Sequence, residues 1–471
     1  VAGLALLVAA CGAGCARGPE SRAYQPTAAE SALLDTLAHR TFRWFWEVGD
    51  PLTGLVPDRW PTRSFASVAA VGFGLTAYPI GAERGWITRD QAAARALATL
   101  EFFWTARQDS AETGCTGYRG FFYHFLDQRT GARFERVELS TQDTALLLAG
   151  ALFCQSWFDR DEPREARIRS LADSLYRRVD WTWARVRPGG IAHGWEPENG
   201  HLPYDYGGYN ETMILYLLAL GSPTHPVAPE AWTSYTSEYR WGAFQGQQYL
   251  GFAPLFGHQY SHVWIDFRGI ADPWMRAKGI DYFENSRRAT LAQRAYAIAN
   301  PGGFRGYSDS LWGLTACDGP LDGEVVIEGR RRGFRTYAAR GACFTEVVDD
   351  GTLAPAAAGG SVPFAPEVAI PALFAMRQAF GEHLFRRYGF VDAFNPTLDV
   401  PAKVQHGAVV PGVGWFDDDH LGIDQGPILA MIENWRSDLV WRTLRRNPHV
   451  IRGLRRAGFT GGWLDRAPKE P

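Results

Sequence analysis

Residues 144–153 read Thr144-Ala145-Leu146-Leu147-Leu148-Ala149-Gly150-Ala151-Leu152-Phe153, without one charged side chain. A helix over them has no polar face, so protein must cover it on every side. The same all-round apolar character recurs at Phe65 to Tyr78, Met213 to Leu220 and Ile428 to Ile432. Segments of the opposite kind lie between. Thr88 with Gln91 forms a capping box ahead of Ala92 to Trp104. Asp161 with Pro163 opens a helix whose stripe Ile168, Leu171, Leu175, Val179 follows the 3.6 period, and Asn285 opens another that stops at Asn300-Pro301. Fully buried helices alternating with one-sided ones, with few strand signals, predict an all-α fold. The expected architecture is an (α/α)6 toroid, or barrel, with an inner ring of helices wrapped by an outer ring. Tyr118 to Glu135 and Trp183 to Tyr206 carry turn signals and aromatics and predict long aromatic-rich loops or short hairpins at its mouth.

Composition narrows the function. With 46% apolar and 21% charged residues the 471-residue chain is globular, and a net charge of −3 with dispersed basic residues excludes nucleic acid as a partner. Aromatics make up 14%, with 18 tryptophans, more than a core needs, so some rings are expected to face a ligand. The run Leu4 to Ala10, ending in Val8-Ala9-Ala10-Cys11-Gly12, looks like a bacterial lipoprotein signal and is too short to span a membrane. The expected organisation is a signal with its lipidation site over 1–11, Cys11 being acylated, a tether over 12–26, and one domain over 27–471. Such a protein is exported and lipid-anchored, in the periplasm or on the surface of a bacterium, and is expected to be a monomer. Cys115, Cys154, Cys317 and Cys343 fit no zinc-ligand spacing. Cys317 and Cys343 bracket the charged segment 318–341, where a disulfide clip is one reading and free thiols the other.

Parallel inner helices gather their N-termini at one mouth, and this sequence places acids there. Ser140-Thr141-Gln142-Asp143 precedes one apolar helix, with Glu138 upstream; Tyr209-Asn210-Glu211-Thr212 precedes a second; Ile423-Asp424-Gln425-Gly426-Pro427 opens a third. Carboxylates converging among aromatics suggest acid/base hydrolysis of a sugar bond. Capping and the macrodipole favour acids in any first turn, which is the competing explanation.

The strings Thr53 to Arg59 (TGLVPDR), Ser140 to Leu148 (STQDTALLL), Tyr209 to Pro226 (YNETMILYLLALGSPTHP), Phe256 to Arg268 (FGHQYSHVWIDFR), Asp350 to Pro355 and Leu421 to Asn434 (LGIDQGPILAMIEN) resemble the bacterial glycoamylase-like family. Its characterised enzymes are β-1,2-glucanases of glycoside hydrolase family 144. The resemblance implies an (α/α)6 barrel and hydrolysis of β-1,2-glucan with inversion, without metal or cofactor, its acid matching Glu211 and its base Asp424. Asp143 and Glu138 match supporting acids in the cleft. The charged stretch Asp318 to Phe344 departs from the pattern as an insertion at one end of the cleft, which leaves endo or exo action open. Hydrolysis of another glucan linkage, or glycan capture without catalysis, are the alternatives.

Candidate substrate contacts are Arg59, His193, Trp195, Tyr209, Asn210, His262, Trp264, Asp266, Arg268 and Trp312. Indoles cover the apolar face of a pyranose, and arginines donate to its hydroxyls. His258, His262 and Asp266 share one helical face, read as polar cleft wall rather than a metal site. Asp417-Asp418-Asp419 reads as a solvated loop rather than a calcium site. Gly72-Phe73-Gly74 reads as helix interior rather than a dinucleotide loop. Glu211 is expected close to Asp143 or Glu138, because only burial and like charge offset the helix dipole enough to keep an acid protonated. Inversion calls for carboxyls about 6.5 to 9.5 Å apart rather than the ~5 Å of a retaining pair.

Overall fold

A computed structural model describes residues 24–468; Cys11, where acylation is expected, the expected signal over 1–11 and most of the expected tether over 12–26 lie outside the described residues. The chain is a helical fold. Among the described residues, helices buried along most of their length include Val68–Glu83, Thr141–Trp157, Met213–Gly221, Tyr260–Trp264, Pro355–Gly359 and Gly422–Ser437. Val68–Glu83 packs on Thr141–Trp157 and Gly422–Ser437, Thr141–Trp157 on Met213–Gly221, and Tyr260–Trp264 and Pro355–Gly359 on Gly422–Ser437. One-sided helices cover them from outside, among them Ala28–Val48, Arg89–Thr105, Pro163–Arg178, Tyr282–Ala299 and Pro366–Leu384.

The glycines of the buried helices are set by contact. A Cβ on Gly72 would meet Leu146 O at 2.3 Å, and one on Gly150 would meet Gly72 O at 2.1 Å. The two helices therefore touch backbone to backbone, and Gly72-Phe73-Gly74 is the interior of a packed helix.

The structure shifts several expected boundaries. Within the apolar run that starts at Phe65 the helix itself begins at Val68, capped by Ser67, whose hydroxyl accepts from Ala70 N. The Pro163 helix is capped by Glu162 rather than Asp161. Asp281, not Asn285, opens Tyr282–Ala299, because Asn285 is buried and its amide grips Leu250 N and O at 2.7 and 3.3 Å. The strictly all-α expectation also needs correcting. Short strands, none longer than five residues among those described, form small antiparallel sheets. The largest has the order Gly117–Tyr118, Phe121–Tyr123, Leu139–Ser140, Gly194–Glu196, Gly200–His201, and so draws in both stretches expected to be loops or hairpins.

The segment after Asp318 is a hairpin, Gly323–Ile327 paired with Arg330–Phe334, whose Ile327 and Phe334 pack with Cys317, Leu398 and Trp415 in a small separate core. Cys317 and Cys343 are free thiols, so the disulfide reading is not realised. Buried Arg340 does the clipping. Its guanidinium holds Asp350 through Nε and Nη2, both at 2.8 Å, and donates to the carbonyls of Cys317, Asp318, Arg335 and Thr336.

Candidate active site

The five-stranded sheet builds the first wall. Ser140 pairs with Phe122 on one side and Gly194 on the other, and it also caps the Thr141–Trp157 helix. Its hydroxyl accepts from Asp143 N at 3.1 Å and donates to the Asp143 carboxylate. His124, one residue past the paired strand, is thereby set between two acids: Nδ1 lies 2.8 Å from Glu138 Oε1 and Nε2 lies 3.6 Å from Asp143 Oδ1. Burial works against its charge, but Asp143 and Glu138 prevail and hold the ring at about 9, an imidazolium at neutral pH.

Glu211 stands just outside its helix, in a turn where Asn210 Oδ1 accepts from Thr212 N at 2.9 Å. Its carbonyl accepts from Ser261 Oγ at 2.7 Å, and the same Oγ accepts from Ile214 N at 3.0 Å. The backbone is thus fixed, and the residue as a whole is half-buried. Burial, helped by the charge of Asp143, pushes that carboxyl up to about 7. The expected neighbour is therefore present, although desolvation outweighs it.

Asp424 belongs to the opposite chain end. Arg59–Trp60 pairs with His420–Leu421, and Asp58 O accepts from Gly422 N at 2.8 Å, which fixes the start of Gly422–Ser437. Asp424, third residue of that helix, is 4% exposed, and burial pushes it up to about 7. A hydrogen bond from Asp392 pulls down, Asp318 and Asp58 push up, and Arg59 pulls down. Arg59 Nη1 reaches Asp318 Oδ2 at 2.6 Å and its Nε reaches Asp58 Oδ2 at 3.3 Å. Buried Tyr260 lies within the field of both Glu211 and Asp424.

A cavity of about 620 Å³ opens beside Arg59 and Asp318, lined by aromatic faces of Phe65, Phe134 and Tyr337 and by the donors Arg63, Gln405 and His406. A second, of about 570 Å³, opens on the Glu211 side, where Tyr209 and Asn210 meet Glu238 and Arg240. Aromatic faces interleaved with fixed donors are what a sugar ring with its hydroxyls requires.

The structure places Asp143 beside Glu211, joins Asp143 and Glu138 through His124, and sets Arg59 near Asp424, with Tyr260 in the field of both Glu211 and Asp424. His193 stacks on Tyr206 with ring centroids 3.7 Å apart, and Trp195 packs on Tyr118 and Trp183 beside the sheet. Tyr209 and Asn210 line the second cavity, although Asn210 spends its amide oxygen on Thr212. Five expected substrate contacts are corrected. Trp264 is core, its indole donating to Thr76 Oγ1 at 3.0 Å, and Trp312 is fully buried. His262 is sealed against Ser286 Oγ at 3.1 Å. Asp266 is closed off by Arg268 and Arg445, and Arg268 also pairs with Asp438 at 3.0 Å and covers Trp441. Asp438 caps the far end of the Asp424 helix, about 20 Å away at 1.5 Å per residue. The string FGHQYSHVWIDFR thus runs from Tyr260, in the field of Glu211 and Asp424, to Arg268 at the end where Asp438 closes the Asp424 helix.

Sequence reading missed Asp58, His124, Tyr260, Asp318, Tyr337 and Asp392 as site residues. Asp58 and Tyr260 lie inside strings that were singled out; the others carry no local signal, since they meet through turns distant in sequence. Asp417 and Asp419 are fully buried, which corrects the solvated-loop reading, while Asp418 is half-buried. Asp318, Asp392 and Asp417 lie close enough to surround a cation. Arg59 already supplies the positive charge at Asp318, and we assign no metal there.

The glycoamylase family profile, described as "Putative glucoamylase", matches residues 203–448. A relative from Parabacteroides distasonis, described as "Exo beta-1,2-glucooligosaccharide sophorohydrolase (non-reducing end)", is 30% identical over 461 residues, covering 91% of this chain; the chain spans 58% of that relative's length. Among solved structures, a "putative glucoamylase" from Bacteroides uniformis is 31% identical with a TM-score of 0.78, over 93% of this chain and 100% of that one. An endo-beta-1,2-glucanase from Chitinophaga pinensis, in complex with sophorotriose and glucose, is 26% identical with a TM-score of 0.76, over 92% and 99%.

Proposed function

Because the chain belongs to the glycoamylase-like family, we propose that it is a glycoside hydrolase that cleaves β-1,2-glucan or its oligosaccharides with inversion, in an (α/α)6 toroid. The observation that carries this reading is the pair Glu211 and Asp424, two carboxyls both pushed up to about 7 and both acting on Tyr260. A glycan-binding protein has no use for such a pair. The relatives named for β-1,2-glucan and sophorose support the substrate class.

In the proposed reaction Glu211 gives its proton to the glycosidic oxygen as the bond to C1 breaks. Water attacks C1 from the opposite face, and Asp424 takes the proton that water loses. The imidazolium of His124, set between Glu138 and Asp143, limits the negative charge that Glu211 feels. The decisive test is incubation with a panel of linkage-defined glucans, with the anomer followed by NMR. Release of product only from β-1,2 linkages, first as the α-anomer, supports the reading; product of retained configuration, or action on another linkage alone, overturns it.

The pH dependence has a defined sign. Glu211 must be protonated, so activity falls as pH rises through about 7. Asp424 must be ionised, so activity falls as pH drops below its own value, also about 7 with Asp392 beside it. The expected kcat profile is a narrow bell centred near neutrality, and a plateau across pH 5–9 contradicts these roles.

We also propose that Cys11 is acylated and anchors the chain at a bacterial envelope. Metabolic labelling with a fatty-acid analogue is expected to mark the native chain and to miss Cys11→Ser.

A further inference from the structure

Asp392 Oδ2 accepts from Asp318 N at 2.7 Å, and Asp392 N donates to Asp419 O at 2.9 Å, so the residue is fixed from both sides. Its Oδ1 is sealed from solvent with no N–H or hydroxyl donor. The group in hydrogen-bonding reach is the carboxyl of Asp424. Two carboxylates cannot bond to one another; one proton between them is required. The remaining ionisable neighbours supply no better partner. Asp318 adds negative charge, Asp417 is itself pushed well up by burial and by the charges of Asp392 and Asp318, Tyr260, Tyr337 and Cys317 are neutral, and Arg59 is engaged by Asp318 and Asp58.

We infer that Asp392 is a positioning residue: its buried carboxyl stays protonated and donates a hydrogen bond to Asp424, holding that carboxylate in place as the base. The asymmetry of the surroundings says which partner keeps the proton. Burial and the charges of Asp424 and Asp318 push Asp392 well above the usual carboxylate range, while the hydrogen bond between them pulls Asp424 down. The arrangement also answers a chemical need. Glu211 and Asp424 both lie near 7, yet one must hold a proton while the other has none. A fixed donor stabilises the Asp424 anion and keeps that carboxyl from rising above Glu211, where burial and the charges of Asp318 and Asp58 would otherwise drive it.

This inference rests on the hydrolase reading, and its test separates the two. Asp392→Asn keeps a permanent N–H donor in the same shape, whereas Asp392→Ala removes it. Asp392→Asn is expected to keep kcat within about tenfold of wild type, with the acidic limb of its profile within half a pH unit. Asp392→Ala is expected to lose about 10²-fold in kcat, with that limb moved up by a unit or more. An Asn variant as impaired as the Ala variant, or an unmoved limb in Ala, overturns the inference. Independently of activity, infrared difference spectra at pH 8 are expected to show the carbonyl stretch of a protonated carboxylic acid in wild type that Asp392→Asn lacks. Absence of that band overturns the proposal even if Asp392→Ala fails to fold. A wild-type protein that shows the band but hydrolyses no glucan sinks the hydrolase reading and leaves the shared proton standing. Thermal unfolding that shifts by several degrees with millimolar calcium or EDTA, and no longer does so in Asp392→Asn, marks a cation in place of the proton and also overturns it.

Discussion

Glu211→Gln is expected to lower kcat on β-1,2-glucan by about 10²- to 10⁴-fold, with KM changed far less, because the amide keeps the shape of the acid and lacks the proton. Asp424→Asn is expected to fall as far. The two losses part company on a substrate with an activated aryl leaving group, which departs without protonation: there Glu211→Gln recovers much of its rate and Asp424→Asn recovers none. Equal recovery in both variants contradicts the division of roles. Stability separates them from ordinary damage. Both carboxyls bind protons more tightly folded than unfolded, so the stability they contribute is full below about 4 and is lost as pH rises through about 7. Neutral amides escape that loss. Each variant is therefore expected to melt at or above the wild-type temperature at pH 8, with the advantage gone at pH 4. Activity lost together with stability at pH 8 means that these groups are structural.

How far the sequence discloses this site depends on the range of each signal. Runs such as Thr144–Phe153 are local and mark buried helices directly, and Asp143 and Asp424 are legible because a first turn lies beside each. Glu211 is legible from the helix that follows it. By contrast, His124 becomes an imidazolium only because Ser140 caps a helix while pairing with the strand before His124. Asp318, Asp392 and Asp417 meet around Arg59 across more than three hundred and fifty residues of chain, and periodicity carries no information at that distance. The expected single helical face of His258, His262 and Asp266 is not formed, because the string FGHQYSHVWIDFR folds as a tight turn, Leu255–His258, and a short helix, Tyr260–Trp264, that ends before Asp266. Tyr260 lies in the field of Glu211 and Asp424, while Trp264 reaches core and Asp266 the far end.

Arg340→Met is expected to cost about 3–5 kcal/mol, the range for leaving one partner of a buried ion pair uncompensated. Arg340 is fully buried and Asp350 nearly so, and the substitution strands the Asp350 carboxylate and four carbonyls together. A methionine fills the space but donates nothing. Adding Asp350→Asn removes the stranded charge, so the double variant is expected to regain part of the loss in urea unfolding; no recovery means that the carbonyl bonds dominate. The functional consequence follows from what Arg340 holds. It fixes the backbone on both sides of the hairpin, at Cys317 and Asp318 and again at Arg335 and Thr336, and between those anchors the chain places Asp318, Thr336 and Tyr337 on the 620 Å³ cavity. The proposed catalytic carboxyls stand elsewhere, Glu211 just before Met213–Gly221 and Asp424 in the first turn of Gly422–Ser437. At a temperature where the variant remains folded, trypsin is therefore expected to cut faster at Arg330 to Arg335, and KM is expected to rise while kcat on long glucan changes little. A fall in kcat with KM unchanged means instead that the clip acts on the Asp318–Asp392–Asp424 contacts rather than on the cavity wall.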